Sequence, residues 1–127
     1  MDRFRVEILK VSPISFGYKS VLKTEWQKGN MPTVTRDIYG DLLIKGQETI
    51  DHIIPKSKGG KSTLSNYALA NAGNNFRRSN LELGSFTNTD LIKAYLRQFE
   101  GIKLHKFNGD EYIKGITKTL KRLGFKL

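Results

Sequence analysis

The sequence predicts a small α+β domain in which a β-hairpin and the helix after it form the centre. Two short apolar runs, near residues 49–53 and 66–70, are separated by a loop that Pro55 and the Gly59-Gly60 pair supply. Helix-capping residues follow the second run, and apolar residues recur at steps of three and four near the C-terminus. These patterns predict a hairpin, a helix packed against it and further C-terminal helices.

The N-terminal extension, residues 1–38, is predicted to begin with a strand. Residues 4–11 show an apolar period of roughly two, and Pro13 follows them. Residues 18–28 predict a short helix, and the residues at 39–41 predict a turn beside the central hairpin.

The hairpin places two chemically different side chains at the end of its first strand. Asp51 and His52 would point to opposite faces of a regular strand, so both can serve one site only where the strand enters a loop. Asn66 is predicted to begin the second strand. Asn71 is then a plausible cap for a helix that extends to about Asn80.

The C-terminal extension, residues 81–127, predicts two helices. The first follows capping residues at 87–89, and the second spans about 110–123 between Asn108 as its cap and Gly124 as its stop. Their apolar stripes are expected to form the core. The stripes contain Leu91, Ile92, Tyr95, Leu96 and Phe99 in the first helix, and Tyr112, Ile113, Ile116, Leu120 and Leu123 in the second.

Several aromatic residues occupy positions that favour packing over base stacking. Five aromatic residues are expected in the core: Phe4, Tyr95, Phe99, Phe107 and Tyr112. Trp26 lies between two lysines, so it is either half-buried or in contact with nucleic acid. The basic face of the last helix is likewise either solvated or in contact with DNA.

Length and charge indicate a single domain, residues 1–127, with a polyanionic partner. The 22 Lys and Arg residues outnumber the 12 Asp and Glu residues and give a net charge of +10, which favours nucleic acid. The absence of cysteine excludes disulfides and a Cys-ligated structural zinc. No apolar run approaches the roughly eighteen residues of a membrane span, so we expect no membrane partner and a cytoplasmic location.

The residues around the hairpin carry the groups that phosphodiester hydrolysis needs. That reaction requires a nucleophilic water, a cation against the phosphoryl charge and stabilisation of the departing oxygen. His52 can act as the general base near neutral pH. Asp51 offers an anionic oxygen and Asn75 a neutral one, both suited to magnesium or manganese. Asn66 can hold the loop and the imidazole in place.

Basic residues close to these groups are expected to contact phosphates. Arg77 and Arg78 lie on the predicted helix, and guanidinium groups bind phosphate bidentately. Lys56, Lys58 and Lys61 lie in the loop between the strands. All five are therefore predicted to bind nucleic acid.

Together these residues resemble the HNH nucleases, a family built on a ββα-metal core. Asp51-His52 is similar to the family's Asp-His or Glu-His pair, Asn66 lies fourteen residues after His52, and Asn75 lies nine after Asn66. Asn in the last position, where His is commoner, is similar to the HNH domain of RNA-guided CRISPR effector nucleases. The resemblance implies His52 as general base, Asp51 and Asn75 as ligands of one Mg²⁺ or Mn²⁺, and products with 5′-phosphate and 3′-hydroxyl ends.

The sequence departs from many small HNH proteins in lacking the two Cys-x-x-Cys pairs that bind a structural zinc. At the positions that resemble the downstream Cys-x-x-Cys pair, this sequence has Asn71 and Asn74. The resemblance therefore implies a fold without zinc, in which the flanking helices take over the stabilising role. It covers residues 39–80 as the core, with residues 1–38 and 81–127 as extensions.

The sequence thus predicts a divalent-metal-dependent endonuclease that acts on duplex DNA. One alternative is a non-catalytic basic module that binds nucleic acid or a polymerase on the same scaffold. A nuclease for structured DNA or for RNA also fits the charge. The oligomeric state, monomer or homodimer, stays open, and a phage or mobile element is the preferred biological setting over restriction and repair.

Overall fold

A computed structural model describes residues 21–127, so the strand predicted over 4–11 lies outside the described residues. The described part combines a two-stranded antiparallel sheet with four helices, which confirms the predicted α+β class. None of these helices is long and apolar enough to cross a membrane. In chain order the elements are helical residues 21–27 (α1), β1 (Glu48–His52), β2 (Tyr67–Asn71), α2 (Ala72–Arg78), α3 (Thr89–Arg97) and α4 (Gly109–Arg122).

The hairpin forms close to where the apolar runs predicted it. β1 pairs antiparallel with β2, so that Asp51 lies opposite Ala68 and His52 opposite Tyr67. The prediction for the start of β2 was wrong by one residue. Asn66 ends a short 3₁₀ turn, Leu64–Asn66, before the strand begins, although its backbone carbonyl still accepts from the Ile53 N–H across the hairpin at 2.9 Å.

Two buried tyrosines satisfy the edge of β2 that faces away from β1. The Leu69 N–H donates to the Tyr95 hydroxyl at 2.9 Å, and the Tyr112 hydroxyl donates to the Tyr67 carbonyl at 2.6 Å. The two hydroxyls lie 2.9 Å apart. Because the Tyr112 hydroxyl already donates its proton to Tyr67, Tyr95 donates to Tyr112, and the three hydrogen bonds form one continuous tyrosine relay. A buried strand edge must find such partners. The relay therefore joins α3 and α4 to the hairpin.

The C-terminal helices begin and end almost where the sequence predicts. Asn88 and Asn108 each accept a hydrogen bond from the backbone N–H three residues later, which confirms Asn108 as a cap. Gly124 follows α4 with φ of +98°, a conformation that favours glycine. Leu123 was expected in the core but is 44% exposed, because it follows the last helical residue and borders an open groove.

Aromatic packing in the described core agrees with the prediction. Four of the five expected residues are buried and in mutual ring contact, namely Tyr95, Phe99, Phe107 and Tyr112, whereas Phe4 lies outside the described residues. Trp26 is half-buried on α1, and its indole N–H donates to the Val34 carbonyl at 2.8 Å. Of the two alternatives for Trp26, the structure therefore favours packing.

A buried carboxylate joins the turn before the hairpin to the start of α2. Asp37 is fully buried, and one of its oxygens accepts from the Tyr39 and Asp41 backbone N–H groups. Its other oxygen accepts from the Asn71 N–H at 3.0 Å and the Asn74 side chain at 2.8 Å. These hydrogen bonds connect Asn71 and Asn74, the two positions at which the resemblance places zinc ligands in other proteins. The stabilising role expected of the flanking helices stays a prediction.

Asn71 is the N-cap residue of α2, as the sequence predicted, but its side chain makes no capping bond. Its amide instead accepts from the Ile44 N–H at 3.0 Å and donates to the Leu42 carbonyl at 2.7 Å. The side chain is therefore used to fix the chain before β1, a partner that lies 27 to 29 residues away in sequence.

We expect Tyr95→Phe to lower the free energy of unfolding by about 1–3 kcal/mol, because it leaves the buried Leu69 N–H without its acceptor. Urea denaturation followed by circular dichroism measures this change. Ile44→Ala is the control, since that side chain is 57% exposed, and it should change stability by less than about 0.5 kcal/mol. Equal effects of the two substitutions would contradict the relay.

Candidate active site

A cavity of about 230 Å³ lies where β1 ends beside α2. It is lined by Asp51, His52, Pro55, Lys56, Asn75 and Ser79. β1 ends at His52, as strand alternation requires if two neighbours are to share one site. Three of the predicted site residues, the acid, the histidine and the second asparagine, thus border one cavity. Their individual roles stay predictions.

Asp51 is a buried carboxylate with partners on both oxygens. It is 2% exposed; Oδ1 lies 2.8 Å from the Arg78 Nη1, and Oδ2 accepts from the Tyr39 hydroxyl. Burial raises the pKa of Asp51, while the Tyr39 hydrogen bond and the Arg78 charge act in the opposite direction. Burial also raises the pKa of Tyr39, so that its hydroxyl keeps its proton and remains a donor. Each carboxylate oxygen accepts up to two bonds, which leaves acceptor capacity on Asp51.

Arg78 does not clamp phosphate, and that prediction was wrong. The side chain is 1% exposed, and its guanidinium donates to the carbonyls of Leu81, His52 and Ile53 at 2.7–2.8 Å, besides Asp51. The helical turn directs residue 78 toward the end of β1, where several carbonyls leave the ladder. Arg78 therefore fixes the position of α2 relative to β1 and has no surface for a phosphate.

The other predicted basic contacts remain accessible. Arg77, Lys56, Lys58 and Lys61 are all exposed, and Arg77 also donates to the Asn74 side chain. Lys56 lines the cavity itself. Adjacent arginines on α2 thus have opposite environments, since a step of about 100° per residue separates a buried face from a solvated one.

Asn75 is half-buried, and hydrogen bonds to β1 orient its amide. Nδ2 donates to the Thr49 hydroxyl at 3.1 Å and to the Ile50 carbonyl at 3.2 Å. These two bonds use the amide nitrogen and leave the carbonyl oxygen as the atom that can bind a cation. The bonds therefore suit the role of oxygen ligand that the sequence predicted for Asn75.

Asn66 holds the loop that follows β1. Its Oδ1 accepts from the Ile54 N–H at 2.8 Å, and its Nδ2 donates to the carbonyls of Ile54 and Lys61 at 2.9 and 3.0 Å. The His52 ring packs edge-on against the Tyr67 ring, with centroids 5.2 Å apart. The buried Asn66 side chain thus joins Ile54 to Lys61 and holds the loop that follows His52.

Two residues of this site were missed from the sequence. Tyr39 was seen only as part of a turn, and no local pattern indicates that its hydroxyl reaches Asp51. Ser79 lines the cavity at the end of α2 with φ of +52°, a conformation that is strained for a residue with a side chain. The helix end predicted near Asn80 was the only available signal for Ser79.

The residues at the cavity fit a weakly held magnesium or manganese ion. Within residues 21–127 no three His, Cys, Asp or Glu side chains form a cluster that could hold a metal by themselves. Asp51 and Asn75 supply two oxygen ligands at most. Mg²⁺ commonly binds through one or two carboxylates and keeps several waters, so this donor set is suitable. The nearby Arg78 charge weakens the attraction of Asp51 for a cation.

We expect Arg78→Met to lower the free energy of unfolding by about 3–5 kcal/mol, because it leaves the buried Asp51 carboxylate without its partner. Thermal and urea denaturation measure the loss. Arg77→Met is the matched control on the exposed face of the same helix and should change stability by less than about 1 kcal/mol. A small effect at both positions would contradict the structural role of Arg78.

Comparison with known proteins identifies the central segment. No curated protein and no solved structure matches the chain. Residues 41–73 match the family profile described as HNH endonuclease; they include Asp51, His52 and Asn66, whereas Asn75 lies two residues beyond. The match supports a nuclease with a nucleic-acid substrate, in a family that generally uses divalent metals. Residues 41–73 of this chain are therefore similar to the HNH endonuclease family, which confirms the resemblance seen in the sequence.

Proposed function

We propose that the chain is a divalent-metal-dependent endonuclease that cleaves duplex DNA and leaves 5′-phosphate and 3′-hydroxyl ends. The observation that supports this most directly is the shared cavity, where a histidine, a carboxylate and an amide meet at the end of β1. In this proposal Asp51 and Asn75 hold one Mg²⁺ or Mn²⁺, and the protein acts in the cytoplasm.

His52 is the proposed general base. Its imidazole accepts a proton from the water that attacks phosphorus, and the 3′-oxygen leaves as the new bond forms. A bound divalent cation would supply positive charge against the phosphoryl oxygens and the leaving oxygen. Asn66 acts through the loop, since its three side-chain hydrogen bonds fix the backbone next to His52. These bonds would therefore help to hold the His52 imidazole in position.

The exposed cations of the loop after β1 and of α2 suit the phosphate backbone of DNA. Lys56, Lys58, Lys61 and Arg77 are accessible, and the chain carries a net charge of +10. Phosphate contacts of this kind supply affinity without sequence information, so binding should weaken steeply as salt rises. One cavity cleaves one strand; a double-strand break would need two subunits or two events.

The second candidate is a non-catalytic module that binds nucleic acid or a polymerase. The Asp51 contacts favour it, because the pairing of this carboxylate with Arg78 and Tyr39 stabilises the fold whether or not a metal binds. The orientation of Asn75 favours catalysis, because its amide nitrogen is bonded to β1 and its oxygen is left for a ligand. A nuclease for RNA or structured DNA shares the same chemistry and differs only in substrate.

Plasmid nicking tests the proposed activity. We expect the wild-type chain to convert supercoiled plasmid to open circles in Mg²⁺, and both EDTA and His52→Ala to reduce the rate at least about 100-fold, as loss of a general base does. His105→Ala is the matched control and should nick like the wild type. Nicking that persists in His52→Ala would contradict the assigned base, and a wild type that binds plasmid without nicking it would favour the binding module.

A metal titration tests Asn75. We expect Asn75→Ala to require a Mg²⁺ concentration about tenfold higher or more for half-maximal nicking, since loss of one of two protein ligands weakens metal binding. Asn80→Ala replaces an exposed asparagine just after α2 and should leave the titration unchanged. An unchanged metal requirement in Asn75→Ala, with normal thermal stability, would exclude the residue as a ligand.

A further inference from the structure

Phe76 is an aromatic side chain in an unusual position. It is 86% exposed, more than any other large apolar residue that the structure describes, the others being Leu42, Ile44, Leu81 and Leu123 at 44–58%. It follows Asn75 directly on α2. A large ring exposed to this degree beside a candidate active site contributes little to the packing of residues 21–127.

The helix that carries Phe76 is held rigidly. Asn74 and Arg78 on the opposite face are buried, with their side chains bonded to Asp37 and Asp51 respectively. Residues 75 and 76 differ by about 100° around the helix axis and about 1.5 Å along it. The Phe76 ring is therefore presented to solvent next to the residue that borders the cavity.

The part of the surface that carries Phe76 also contains basic residues. Arg77, the next residue of α2, is exposed, and Lys56 is exposed and lines the cavity that Asn75 borders. A protein-binding surface would need a larger apolar patch than this single ring. An isolated exposed aromatic ring on a chain with a net charge of +10 fits a ligand that alternates flat apolar groups with negative charges, which is the chemistry of nucleic acid.

We propose that Phe76 packs against, or inserts between, the bases next to the phosphate that is cleaved. The proposal rests on the nuclease function in naming the cleaved strand as the ligand. Apolar side chains inserted at a base step unstack the bases and kink the duplex. Such a wedge would favour steps that unstack readily, such as pyrimidine–purine steps and mismatches.

Equilibrium binding in EDTA tests the wedge without requiring cleavage. The probe is a labelled duplex with 2-aminopurine at successive positions, titrated with the wild type, Phe76→Ala, Phe76→Trp and Ile44→Ala. We expect Phe76→Ala to weaken binding by about 5- to 100-fold and to remove the 2-aminopurine fluorescence increase that reports unstacking. Phe76→Trp should keep both, and Ile44→Ala, an exposed aliphatic control, should resemble the wild type.

Salt dependence and thermal stability distinguish the wedge from a phosphate contact and from a loss of folding. Phe76→Ala should leave the slope of log affinity against log salt unchanged, whereas Arg77→Ala should reduce it by about one unit. Thermal unfolding of Phe76→Ala should match the wild type because the ring is exposed. If the wild type nicks DNA, and Phe76→Ala binds the duplex and unstacks its bases as well as the wild type does, the wedge is wrong while the nuclease function stands. Loss of affinity and unstacking in Phe76→Ala would support it even if the wild type does not nick.

Self-association is the remaining outcome to distinguish. If Phe76 instead packs against a second copy of the chain, sedimentation should show a dimer that Phe76→Ala dissociates, with DNA affinity per subunit unchanged. That result would also overturn the wedge.

Discussion

The buried ion pair between Asp51 and Arg78 determines how the rest of the site is arranged. Arg78 joins the last turn of α2 to the carboxylate and to the two carbonyls where the chain leaves β1. Because an uncompensated charge is unfavourable in the interior, each partner requires the other. The pair therefore fixes the position of α2, and with it the amide of Asn75 and the ring of Phe76, relative to His52.

Other buried polar groups extend this arrangement through the domain. Asp37 ties the turn before the hairpin to the start of α2, and Asn66 ties both ends of the loop after β1. The tyrosine relay joins α3 and α4 to the free edge of β2. A two-stranded sheet is only marginally stable by itself, so these contacts let a small hairpin carry a defined site. Since the chain has no cysteine, neither disulfides nor thiolate-bound metal contribute.

The same residues show how far the sequence could predict the site. Spacing was sufficient to bring Asp51, His52 and Asn75 to one cavity, because a strand, a loop and a helix of known geometry connect them. Spacing could not separate the two arginines that follow. Arg77 and Arg78 have the same chemistry and adjacent positions, and only the packing of α2 decides that one is exposed and the other 1% exposed.

The sequence by itself determined the α+β class, the hairpin, the C-terminal helices and the group of residues for which we propose nuclease chemistry. Periodicity, caps and turns depend on residues only a few positions apart, so a single sequence is enough to predict them. Only the tertiary structure decided that Asp51 is paired, that Tyr39 contacts it and that Phe76 is left exposed. The two contacts of Asp51 join residues that are 12 and 27 positions apart in the sequence. A buried polar group bonds with the partner that the fold brings near it, so local sequence patterns do not indicate the pairing.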